Sequence, residues 1–344
     1  MWFKLIFMLI LTILFGSCTT EITIMSYNVQ TLFDDVDDGT EYPAYDPGSG
    51  KWNSELFQLK LKAIGRVIKE AFLSCPDIVA LQEVENSNTL DTLNTLILKE
   101  CRYAFAVLVP APGASTNTAI LSRYPIRRVR AHNTSQIGLR SILEVEISIN
   151  GHILYLFNNH WKSHTDGSME TEASRLETAF LLRRRIITIL EADPPADIIV
   201  VGDFNENVEE YYDRKMKYQT AFIPFQVDVP AACEEKSIFL TSRIEEVGFS
   251  GNKLILLDLW YELPSDRWGS YVFNHKWFSF DHVLLTGGLL NRKGIDYMSN
   301  SFSVIHSSFL VDKKNGYPLK WQTHLKKGYS DHLPLLVKVK VINN

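Results

Sequence analysis

Apolar and polar positions along this chain switch between two periods. Leu56, Leu59, Ala63, Ile64, Val67, Ile68 and Ala71 recur at helical steps and predict an amphipathic helix over 55–73. Further helices are expected over 89–101 and 170–191. Leu143, Val145, Ile147 and Ile149 alternate with Glu144, Glu146 and Ser148, which predicts a strand with one face in water. Asn150-Gly151 then marks a hairpin turn into a strand over 152–157. DIVAL at 77–81 and DIIVV at 197–201 do not alternate and read as buried strands. Residues 21–27 are rich in β formers, and Leu335, Val337, Val339 and Val341 predict the last strand. Hairpins mixed with crossover helices imply a layered α/β sandwich with mixed sheets.

The 344 residues allow two domains or one large α/β domain, and no repeat or linker divides them. Residues 1–18 stand apart. Lys4 precedes an apolar run over 5–15, followed by Gly16, Ser17 and Cys18. The run is shorter than the ~20 apolar residues of a spanning helix and suits a secretory signal. Its end resembles a bacterial lipobox, with Phe15 where Leu is usual. The resemblance implies a leader over 1–18, a lipid on Cys18, and an exported domain over 19–344 anchored on the periplasmic or surface side of a bacterial membrane. A plainly cleaved signal and an uncleaved anchor are the alternatives. Cys75, Cys101 and Cys233 then remain. Buried free thiols are the simpler expectation, and a Cys75–Cys101 bridge suits an oxidising compartment. With no CxxC present, a cysteine zinc site is not expected.

A net charge of −5 argues against holding nucleic acid by bulk charge alone. It leaves room for an enzyme that meets phosphate through a bound metal. Arg127-Arg128-Arg130 and Arg183-Arg184-Arg185 read as solvated faces, since consecutive helical residues point in different directions. The acidic segment 34–46 (DDVDDGTEYPAYD) reads as a solvated loop. A loop framing the active site and a calcium site are the alternatives, although EF-hand spacing is missing.

Polar residues gather just beyond the apolar strands. Asn28 follows ITIMSY, Gln82-Glu83 follows DIVAL, and Asn159, His160, Lys162 and His164 follow ILYLF. Asp203, Asn205 and Asn207 follow DIIVVG, Asp281 and His282 sit in FSFDHVLL, and Ser330, Asp331 and His332 precede the last strand. Layered α/β sheets place their sites at strand carboxyl ends, so one convergent site is expected.

The motifs LQEVEN, NNHWKSH, VGDFNEN and YSDHLPL, in that order, resemble the endonuclease/exonuclease/phosphatase superfamily, which includes pancreatic-type deoxyribonuclease, abasic-site endonucleases and neutral sphingomyelinases. The likeness runs from about Ile24 to Leu335. It implies a four-layer α/β sandwich of two packed sheets flanked by helices, forming one catalytic domain. It also implies Mg²⁺, with Mn²⁺ as an alternative, held by Glu83 with Asn28 and Asp331. Asp203 would orient or deprotonate the attacking water, and Asn205 would hold that water or the phosphate. His332 would contact the phosphate, paired with Asp281, and His160 would donate to a phosphate oxygen or to the leaving group. Lys162 and Arg140 are candidate phosphate contacts. His164 reads as a surface residue and His282 as structural.

The chemistry requires such a set. Phosphodiester oxygens repel a nucleophile, so an enzyme needs a hard cation, an oriented water and charge relief on the leaving oxygen. The favoured expectation is an exported, monomeric, metal-dependent nuclease of low sequence specificity, with DNA preferred over RNA as its partner. A phosphodiesterase or phosphatase on phospholipid head groups or small phosphoesters is the alternative. A non-catalytic surface lipoprotein is third, disfavoured because the polar set is complete. Trp277, Phe278 and Phe280 could dip into a lipid surface but read as core.

Overall fold

A computed structural model describes residues 20–342, so the leader expected over 1–18, with Cys18, lies outside the described residues. Two mixed sheets stack face to face. In the first, the spatial order is Ile295–Tyr297, Leu335–Val341, Glu21–Leu32, Ile78–Val84, Asn117–Ser122 and Phe105–Leu108. In the second it is Ile126–His132, Ile142–Ile149, His152–His160, Asp197–Asp203, Asp281–Leu285, Lys253–Asp258, Ile238–Thr241 and Phe222–Pro224.

Side-chain alternation builds the layers. On the Glu21–Leu32 strand, Met25, Tyr27 and Val29 pack under Leu61, Ile64 and Ile68 of the Ser54–Glu70 helix. Ile22 and Ile24 of the same strand face Val145, Leu156, Val201 and Val283 of the other sheet. Beyond the second sheet, Ala179, Leu182 and Ile186 of the Glu172–Ala192 helix cover Phe157, Ile198 and Val200. Helix, sheet, sheet, helix is the four-layer sandwich expected from the sequence.

Three local expectations change. The helix expected over 89–101 is α-helical only over Ser87–Thr92, then widens to a π turn at Leu93–Ile97 and ends in a 3₁₀ turn at Lys99–Cys101. Cys75 and Cys101 are joined by a disulfide rather than free. The polar face of Ile142–Ile149 is only partly wet: Glu146 and Ser148 are half-buried. Glu144 is fully buried there and accepts from Arg185 Nε and Nη2, both at 2.7 Å, and from Arg130 Nη1 at 2.7 Å. Alternation reports which face a residue is on, not what covers that face. Three of the six arginines in the basic clusters are spent on acids: Arg128 and Arg130 pair with Glu146, and Arg185 pairs with Glu144.

This arrangement carries a pH prediction. Burial opposes the Glu144 charge, but Arg185 and His132 outweigh it and hold its pKa down near 2. The associated stability is complete above the unfolded value near 4.5 and is lost as pH falls from there toward 2. Replacing Glu144 by Gln should remove about 2–3 kcal/mol of that acid dependence, read by urea unfolding at successive pH values.

Gly202 shows why the strand before the site is glycine-marked. Its φ is +132°, and a Cβ there would lie 2.0 Å from the Asn159 carbonyl oxygen. Gly202→Ala should therefore destabilise the fold by about 3 kcal/mol or more, seen as a lower urea midpoint.

Candidate active site

Strand register brings the predicted residues together. His160 pairs with Asp203 across parallel strands, and Asp203 pairs with Asp281 across antiparallel ones. These three positions form one row at the edge of the second sheet. In the first sheet Asn28 stands beside Gln82, one residue before Glu83. Asn28 joins the two rows, its Nδ2 donating to Asp203 Oδ2 at 2.9 Å and to Glu83 Oε1 at 3.1 Å. The site therefore sits where the edges of the two packed sheets meet.

Backbone shape holds Glu83 in place. Gln30, Thr31 and Glu83 all have φ between +52° and +66°, in the left-handed region that side chains with a Cβ avoid. The turn at 30–31 aims the Thr31 N–H at Glu83 Oε2, 2.7 Å away. Asn205 is also left-handed, at +52°. Its N–H donates to Asp203 Oδ1 at 3.0 Å and its amide nitrogen to the Trp161 carbonyl at 3.2 Å.

His332 Nδ1 lies 2.7 Å from Asp281 Oδ2, and His332 Nε2 lies 3.8 Å from Asp203 Oδ2. Burial disfavours its charge, but Asp281 and Asp203 overcome that and raise its pKa to about 10, so the ring is an imidazolium. Burial, aided by Asp281 and resisted by His332, raises Asp203 to about 7. His160 is driven the other way. Burial first, then Arg140 and His332, push it well below 6.5, so it is neutral. Its Nε2 is 3.7 Å from Asp203, 3.8 Å from Glu83 and 2.9 Å from Arg140 Nη2.

Some expectations are met only in place. Asn28 is at the site, but its oxygen accepts from the Gln30 N–H at 3.0 Å, so it offers the acids a nitrogen. Lys162 lines the cleft with its Nζ on Asp166, 2.7 Å away. His164 is not a surface residue: it is half-buried, lines the cleft and contacts the Asn205 carbonyl. His282 is structural, held by Asp258 and the Glu206 carbonyl, each at 2.8 Å. Phe278 and Phe280 line the cleft rather than serving only as core, whereas Trp277 packs against the first core.

The sequence reading missed three residues. Tyr271 stacks on His332 with ring centres 4.6 Å apart, and Ser270 Oγ donates to Asp281 Oδ2. Neither position carried a motif. Lys60 did carry a signal, since a lysine four residues after Leu56 interrupts the apolar stripe. It is fully buried, donates to the Tyr329 carbonyl at 2.8 Å, and faces Asp331 and Glu83. Burial lowers its pKa to about 7 against the pull of those acids.

Glu83, Asp203, Asp331, His160 and His332 face one cleft of about 1050 Å³. Its oxygen donors suit a hard divalent cation. Burial raises the Asp331 pKa, His332 resists, and Glu83 adds to the rise, as an acid sharing the space does. Asp203, Asp281 and His332 also offer ligand atoms within 4.8 Å of one another.

Comparison with known proteins follows the same lines. A model of the endonuclease/exonuclease/phosphatase family matches residues 23–218 and 234–341. Truncated Caenorhabditis elegans TDP2 superposes with a TM-score of 0.54 at 18% identity, over 93% of this chain and 97% of that one. TDP2 from D. rerio, complexed with a single strand DNA product, gives 0.52 at 15% identity over 93% and 99%. A mannosyl-6-phosphatase from Bacteroides thetaiotaomicron gives 0.52 at 14% identity over 92% and 99%. No curated protein sequence matches the chain. The extent of the family match settles membership: the chain belongs to the endonuclease/exonuclease/phosphatase family, which hydrolyses phosphoester bonds.

Proposed function

We propose that this protein is an exported, Mg²⁺-dependent nuclease that hydrolyses DNA phosphodiesters with little sequence specificity. The observation that carries the reading is the contact of Asn28 with both Glu83 and Asp203, which supports a metal-binding role for the first carboxylate and a base role for the second. Glu83 and Asp331 would hold the cation, which when bound neutralises charge on the phosphoryl oxygens. The Asp203–Asp281–His332 cluster is better suited to holding a proton, because the His332 ring is already bonded to Asp281 and charged.

Each remaining residue has a task the geometry allows. Asp203, raised to about 7, orients a water and accepts its proton near neutral pH. Asn205 fixes that carboxylate through its N–H and lines the cleft beside it. The His332 imidazolium donates to a phosphoryl oxygen, and Asp281 holds its ring in register. Neutral His160 accepts at Nδ1 from Arg140 Nε, 3.2 Å away, and holds that guanidinium charge beside the phosphate. Lys162 contacts the phosphate chain on leaving Asp166.

The DNA product bound to D. rerio TDP2 supports a nucleic acid substrate. The Cys75–Cys101 disulfide and the leader support export, with Cys18 as the lipid attachment point. Purified protein should nick and then degrade supercoiled plasmid in Mg²⁺ and not in EDTA. The mannosyl-6-phosphatase likeness favours a second reading, a phosphatase of small phosphorylated sugars. Intact plasmid together with phosphate release from mannose 6-phosphate would replace the first reading by the second.

A further inference from the structure

The acidic loop that follows the first strand has a use outside the cleft. Asp38, Glu41 and Glu85 each offer a carboxylate oxygen, and the three oxygens lie within 4.8 Å of one another. None of these residues lines the cleft. Glu85 comes from the end of a different strand segment and is only 3% exposed. Its Oε2 accepts from the Asp34 N–H at 2.6 Å, while its Oε1 is buried with no hydrogen-bond partner. The charged groups facing Glu85 are Asp34, Asp38 and Glu41, all acidic. Among the described residues, no ion pair involves Asp34, Asp35, Asp37, Asp38, Glu41, Asp46 or Glu85.

A solvated acidic loop does not account for these facts. Exposed acids repel one another only weakly in water, but a carboxyl buried among three others must be neutralised, either by a proton or by a cation. Among the described residues no cationic side chain pairs with it. The donor set is all oxygen, contributed by two loop side chains and one buried strand-end side chain. That chemistry matches Ca²⁺, which accepts irregular carboxylate coordination, better than Mg²⁺, which demands a near-ideal octahedron. Nitrogen and sulfur ligands, which would favour a transition metal, are missing from the cluster.

We propose that Asp38, Glu41 and Glu85 form a second cation site, specific for Ca²⁺, that ties the 34–46 loop to the end of the Ile78–Val84 strand. The tie acts on the cleft from two sides. Tyr42, one residue after Glu41, lines the cleft, and Glu83, two residues before Glu85, stands in it. Calcium therefore orders the cleft wall without taking part in the chemistry.

The test is a calorimetric titration of Ca²⁺ into the purified protein in excess Mg²⁺, which keeps the cleft acids occupied. The expected result is uptake of one Ca²⁺ per chain. Asp38→Asn combined with Glu41→Gln should weaken it ~10-fold or more, because affinity follows ligand charge. Glu85→Gln, which preserves side-chain shape, should do the same, and Glu83→Gln should leave uptake unchanged. Calcium at ten times its Kd should also raise the melting temperature by about 2 °C in the wild type and not in the double variant. No uptake by the wild type, uptake undiminished in the double variant, or uptake lost in Glu83→Gln would each overturn the site.

Discussion

Replacing Asp203 by Asn is expected to lower kcat by ~10³–10⁴-fold while leaving the fold in place, because it removes a proton acceptor and nothing of similar size. Asp203 Oδ2 receives the Asn28 amide and Oδ1 receives the Asn205 N–H. An Asn at 203 accepts only one of these and turns an NH₂ toward the other, which costs about 1 kcal/mol. It also removes a charge that burial and Asp281 already disfavour. The two effects oppose each other, so the melting temperature should move by only a few degrees. Thermal unfolding beside steady-state kinetics checks both halves. A large loss of activity with a large loss of stability would make Asp203 a structural residue instead.

His332→Gln should cost ~10²–10³-fold in kcat, the range for removing one donor aimed at transition-state charge. Glutamine can still donate a hydrogen bond, but it cannot carry the positive charge that Asp281 and Asp203 stabilise on the imidazole. Loss should therefore fall on kcat more than on KM. Asp281 acts through His332, so adding Asp281→Asn to His332→Gln should cost little more than the single change. Additive losses in that double-variant cycle would mean that Asp281 contacts substrate on its own.

Much of this arrangement was legible in the chain, for a physical reason. Strand-end polar residues are short-range signals: each motif fixes a side chain within two or three positions of an apolar run that only a buried strand explains. VGDFN and FSFDHVLL thus placed Asp203 and Asp281 at strand ends, and register did the rest. Less legible were features that depend on what packs from elsewhere. Glu144 reads as wet on its own strand and is covered by Arg130 from the neighbouring strand and by Arg185, which reaches it from a helix 41 positions later. His164 reads as surface and is drawn in by the Asn205 carbonyl. Tyr271 carries no local pattern, and its stacking on His332 arises from a hairpin that folds back over the last motif. The orientation of Asn28 was equally beyond a motif, since only the left-handed turn at Gln30 and Thr31 commits its oxygen to the backbone.

In the proposed function one cleft hydrolyses a phosphodiester with a cation at Glu83 and a base at Asp203. The most direct test uses a generic substrate, bis-p-nitrophenyl phosphate, with Mg²⁺ varied against the wild type, Glu83→Gln and Asp203→Asn. Wild-type turnover is expected to saturate with Mg²⁺. Glu83→Gln should need more Mg²⁺, and Asp203→Asn should lose nearly all turnover at any Mg²⁺ concentration. Turnover that ignores Mg²⁺, or an Asp203→Asn protein as active as the wild type, would contradict that function.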